Sequence, residues 1–200
     1  MELQDALSQI SEIRRQMAKT QVFRGYRSAS VGFSGLVAFS AAGVQRRIVP
    51  DPRQDIRPYL LLWIGAAAVS IVAVAIEMIV RGRRSSLAAQ LTVLAVEQFL
   101  PCLVAGAMLT YVLAHFVPEA HWLLPGLWAI LFSLGAYASG RLLPRALFWV
   151  AGFYLLAGCL CLIFARGAEA FSPWAMGLPF GCGQLLTAAI LYWTLERPHG

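Results

Sequence analysis

Residues 87–116 read LAAQLTVLAVEQFLPCLVAGAMLTYVLAHF, a run in which Glu97 and His115 are the only acidic or basic side chains. It exceeds the roughly 20 apolar residues that cross a bilayer as a helix, and no soluble fold needs such a run. Five further apolar stretches flank it, over 28–44, 59–80, 122–138, 146–165 and 173–195. Composition agrees: 59% of the 200 residues are hydrophobic and 13% charged, against about 45–50% and about 25% in soluble domains. The sequence predicts an all-α polytopic membrane protein, a bundle of six transmembrane helices over 27–197, preceded by a cytoplasmic amphipathic helix and linker over 1–26. The first stretch is short and rich in Ser, Gly and Ala. Such small residues suit a helix packed inside the bundle, facing protein more than lipid.

Arginine outnumbers lysine fifteen to one and the net charge is +6. In a membrane chain this excess reports topology, because Lys and Arg are retained in cytoplasmic loops; it is no sign of nucleic acid. With both termini inside, eleven basic residues, among them Arg14, Arg15, Arg81, Arg83, Arg84, Arg141 and Arg145, fall on the cytoplasmic side. Arg46, Arg47, Arg53 and Arg57 fall outside in this arrangement, partly offset by Asp51 and Asp55. The expected location is the inner, plasma membrane, with the lipid bilayer as the first partner. Trp63, Trp122 and Trp174 are then expected at the outer interface, and Trp149 and Trp193 at the inner one.

Residues 1–20 repeat apolar side chains at Leu3, Ala6, Leu7, Ile10, Ile13 and Met17, with Glu2 and Asp5 early and Arg14, Arg15 and Lys19 late. This is an amphipathic helix whose charges match its dipole. It is suited to lie on the inner membrane face, or to make a short contact with a cytoplasmic partner or a second copy.

Glu97 stands about ten residues into its stretch, followed by Gln98, and Pro101 removes the amide donor from the Glu97 carbonyl. An ionisable group at that depth is expected to face a bundle interior. Gln90, Glu97, Pro101, Tyr111 and His115 share one helical face. A second internal proline, Pro179, precedes Gln184 within GLPFGCGQLL, where Gly177 and Gly181 form a small-xxx-small pair. Glu97, Gln98, Pro101, His115 and Gln184 are accordingly the predicted ligand or ion site between the third and sixth helices. Structural glue between helices is the competing role for Glu97.

No nucleotide, metalloprotease or acid-pair motif is present, and neither a cofactor nor a metal is expected. His115, Glu119 and His121 are interrupted by Pro118 and read as interfacial polar residues. Cys102, Cys159, Cys161 and Cys182 lie inside apolar stretches and read as small apolar side chains. Glu77 and Arg81, four apart, suit an ion pair at the inner interface.

GFSG, residues 32–35, is similar to the tetrapeptide of rhomboid intramembrane proteases. That resemblance covers four residues, and Ser34 has no histidine within reach to act as a base; no enzymatic activity is expected. LPGLW, GRLLPRALFWV and GLPFGCGQLL resemble uncharacterised bacterial inner-membrane proteins of similar length, a likeness that implies no activity. The functional expectation is a membrane protein that binds or passes a small solute or ion. The alternative is an interaction or sensor subunit whose N-terminal helix docks a cytoplasmic partner.

Overall fold

The computed structural model describes residues 28–82, 86–141 and 145–196, with the side chains of 81–93, 95, 141, 195 and 196 outside the description. All regular structure among the described residues is helical. Six α-helices follow in order: α1 (Ser28–Ile48), α2 (Arg57–Gly82), α3 (Ser86–Phe116), α4 (Leu124–Ala138), α5 (Leu147–Phe164) and α6 (Pro173–Leu191). Single 3-10 segments at Pro118–Leu123 and Glu169–Phe171 lead into α4 and α6. The helix predicted over 1–20 lies outside the described residues, as do the side chains of Gln90 and Arg81.

The boundaries follow local chemistry. Pro50 and Pro52 end α1, while the Asp55 carboxylate accepts the Arg57 N–H at 3.0 Å and opens α2. Pro118, Pro125 and Pro173 stand in first turns, where their missing N–H costs nothing. Gly167, with φ of 61°, makes the left-handed turn after α5.

Among the described residues, five helical segments are long and apolar enough to span a bilayer: Arg57–Val80, Val96–Phe116, Pro118–Ala138, Leu147–Phe164 and Pro173–Thr194. The expected span at 28–44 is not among them. Its serines, glycines and terminal Gln45, Arg46 and Arg47 depress its hydropathy. The same small residues give α1 a different place, for Val31, Ser34, Gly35, Ala38, Ala41, Ala42 and Gln45 are all buried.

Helix α1 packs most extensively against α6, and α4 against α5; α2 lies on α1, α3 on α4, and α5 on α6. The α1–α6 seam is made by close approach. A Cβ at Gly177 would lie 2.6 Å from the Ala42 Cβ, and one at Gly181 would lie 2.5 Å from the Phe39 ring. The predicted small-residue pair therefore sits against α1. Between α4, α5 and α6, the rings of Phe132, Tyr154 and Phe180 meet at 4.6–5.7 Å, and the Ser133 hydroxyl donates to the Ala151 carbonyl at 2.7 Å. Such a cross-helix bond satisfies a polar group that lipid could not. By contrast α2 and α3 are mostly exposed beyond their contact stripes.

The end of the bundle where α1 stops and α2, α4 and α6 begin is here termed distal. The end where α1 starts and α6 stops is proximal.

Candidate functional site at the distal end

The distal end is organised by one amide. Gln45, in the last turn of α1, is 3% exposed. Its Nε2 donates to the Phe171 carbonyl at 2.7 Å, and its Oε1 accepts from the Trp63 indole at 2.9 Å. The side chain thus ties α1 to α2 and to the segment that enters α6. Around it the rings of Tyr59, Trp63, Trp128 and Phe171 close the core: Tyr59 is fully buried, stacked on Trp128 at 6.5 Å and edge-on to Phe171 at 5.2 Å. Its hydroxyl has no hydrogen-bond partner among the described residues.

Residues 49–56 fold over this knot. Val49 and Ile56 are buried, and the Asp51 carboxylate accepts the Arg53 N–H at 3.0 Å, an Asx turn that fixes the loop. A cavity of about 290 Å³ remains between the end of α1, this loop and residues 168–173. Gln45 lies on its floor and Arg46, Asp51, Arg53, Glu169 and Ser172 line its walls. The Arg53 guanidinium reaches to 3.3 Å from the Cβ position of Gly167, so it bridges toward the turn after α5. Ser172 occupies the cap position of α6, yet its side chain makes no capping bond.

The residues expected to form a site are dispersed. Glu97 and Pro101 are exposed and Gln98 is half-buried, its Oε1 enclosed without a partner among the described residues. His115 is exposed at the distal end of α3, its Nδ1 at 3.0 Å from the Tyr111 carbonyl. It stands 18 residues, about 27 Å of helix, from Glu97. Gln184 is half-buried on α6, and α6 packs on α1 and α5 while α3 packs on α4 and α2. The two helices expected to enclose a ligand do not share a main interface.

The expectation that Glu97 faces inward is corrected: its side chain is exposed. The α3–α4 register sets its level, since the Trp128 indole donates to Thr110 at 2.8 Å and Phe99 covers Gly135. Glu97 therefore lies level with the proximal end of α4.

The Ser34 hydroxyl of the rhomboid-like tetrapeptide is buried and donates to the Ser30 carbonyl at 3.1 Å. Trp63, expected in an interfacial belt, is 4% exposed and bonded in the core, whereas Trp149, Trp174 and Trp193 are exposed near helix ends. Among the described residues no three His, Cys, Asp or Glu side chains gather as a metal site.

Gln45 escaped the sequence reading, because it adjoins Arg46 and Arg47 and read as the start of a polar loop. Its signal was present: a helix that continues through Gln45 puts it on the face of Ala38, Ala41 and Ala42.

No family model, curated protein or solved structure matches the chain. Fold and site together define a helical, membrane-type protein, consistent with an integral membrane protein, with an open cleft of mixed polar and apolar lining at one end of its bundle.

Proposed function

We propose that this is a non-enzymatic integral membrane protein that binds a small polar solute at the distal end of its bundle. In this reading all six helices cross the plasma membrane, both termini are cytoplasmic and the cavity opens at the outer face. The observation that carries it is the cavity floored by Gln45, a buried amide held in place by two hydrogen bonds. Small-molecule sites combine an apolar frame with a few fixed polar groups, and here Val49, Pro50, Pro52, Phe171 and Pro173 supply the apolar part. Solute passage between α3 and α6 has less support, since those helices lack a main interface.

A thermal-shift series on the detergent-purified chain tests the reading. Neutral, anionic, cationic and zwitterionic solutes of up to about ten heavy atoms are each added at millimolar concentration. A binder present at a hundred times its Kd stabilises the folded state by about 2.7 kcal/mol, a readily measured rise in Tm. At least one class should raise Tm in the parent and fail to do so in Arg46→Ala/Arg53→Ala. If no class stabilises the parent, the reading fails.

A further inference from the structure

The charges around the distal cavity come in two signs. Arg46 and Arg53 are cationic, Asp51 and Glu169 anionic, and all four line the same 290 Å³ space. None is ion-paired with a described residue; the Asp51 carboxylate accepts only the Arg53 backbone N–H. All four side chains are exposed along one open cleft, and without an ion pair between them both signs are available to an occupant.

Two helix ends border this space. Gln45 and Arg46 belong to the last turn of α1, and Ser172 and Pro173 open α6. The two ends border the cavity together because α1 and α6 are antiparallel and tightly packed. At the α6 start the Ser172 side chain makes no capping bond, Pro173 has no N–H, and the Ser172 and Ala175 amides donate to the Glu169 and Ser172 carbonyls, so of this helix end only the Ser172 hydroxyl is offered to an occupant. The volume lies at the low end of the roughly 300–1,000 Å³ of small-molecule pockets, which restricts the occupant to a compact molecule.

We infer that the distal cavity is a site for a small zwitterion, a molecule with an ammonium group and a phosphate or carboxylate. The anion sits toward Arg46 and Arg53. The ammonium sits toward Asp51 and Glu169. This rests on the solute-binding reading and deepens it. The same chemistry is offered by a free solute and by the headgroup of a phosphatidylethanolamine molecule at the membrane face.

The test is calorimetric titration of the full chain in detergent with phosphoethanolamine, with ethanolamine and with inorganic phosphate. Phosphoethanolamine should bind at least ten-fold more tightly than either half. Asp51→Asn, which retains the oxygen that accepts the Arg53 N–H, should weaken phosphoethanolamine about ten-fold and leave phosphate unaffected. Arg53→Gln should weaken both. Repeating the titration in phosphatidylcholine nanodiscs with and without phosphatidylethanolamine assigns the source: loss of phosphoethanolamine binding in the second lipid identifies the headgroup, and unchanged binding identifies a free solute. Phosphate binding as tightly as phosphoethanolamine would overturn the inference, as would no binding of phosphoethanolamine by a folded parent. Stabilisation by neutral solutes alone would overturn it while leaving the solute-binding reading intact.

Discussion

Two polar residues of similar prominence in the sequence have opposite standing in the structure. Gln45 is buried and holds two partners from distant segments, whereas Glu97 is exposed and pairs with no described residue. Replacing Gln45 by Leu strands the Trp63 indole and the Phe171 carbonyl, each a buried group whose loss of a partner costs about 1–3 kcal/mol. Gln45→Leu is expected to lower unfolding free energy by about 2 kcal/mol, while Glu97→Gln and Glu97→Leu stay within about 0.5 kcal/mol, as surface changes do. Steric-trap or denaturant unfolding in micelles measures both, and a larger loss at Glu97 than at Gln45 would reverse the assignment. The sequence exposed Glu97 by contrast with its apolar neighbours, but contrast along a chain does not reveal which face a side chain takes. Gln45 lacked that contrast because charged residues follow it.

At the scale of helices, the pairing of α1 with α6 and of α4 with α5 depends on glycines that let backbones approach. The ring of Tyr154, itself fully buried, occupies the space a Cβ would need at Gly183. Gly183→Ala is expected to destabilise by about 1–3 kcal/mol through overpacking. Gly65 has no atom within 4 Å of a Cβ position, so Gly65→Ala should stabilise by up to about 1 kcal/mol through helix propensity. Thermal unfolding of the two variants reads the contrast directly, and equal shifts would contradict the described packing. Helix existence and type were legible in apolar run length, and the Gly177–Gly181 pair announced a close contact. The partner of each helix was not legible, because apolar faces seeking lipid and apolar faces seeking protein have the same composition.

For the molecule as a whole, the five segments that are apolar enough to cross a membrane among the described residues were evident in the sequence, and so was the weakness of the stretch that forms α1. What the composition of α1 conceals is that a helix of marginal hydropathy can be enclosed by its neighbours, which lowers the demand on its own side chains. The site depends on that arrangement: with α1 across the bilayer, the Gln45 knot and its cavity stand at the face opposite the start of α1. Cysteine accessibility measures this most directly. In a background with Cys102, Cys159, Cys161 and Cys182 replaced by Ala, single cysteines at the exposed positions Ala29 and Gln54 are labelled with a membrane-impermeant maleimide in intact and permeabilised cells. Gln54→Cys should react in intact cells and Ala29→Cys only after permeabilisation. Reaction of both from the same side would show that α1 does not cross, and would remove the cavity from the outer face.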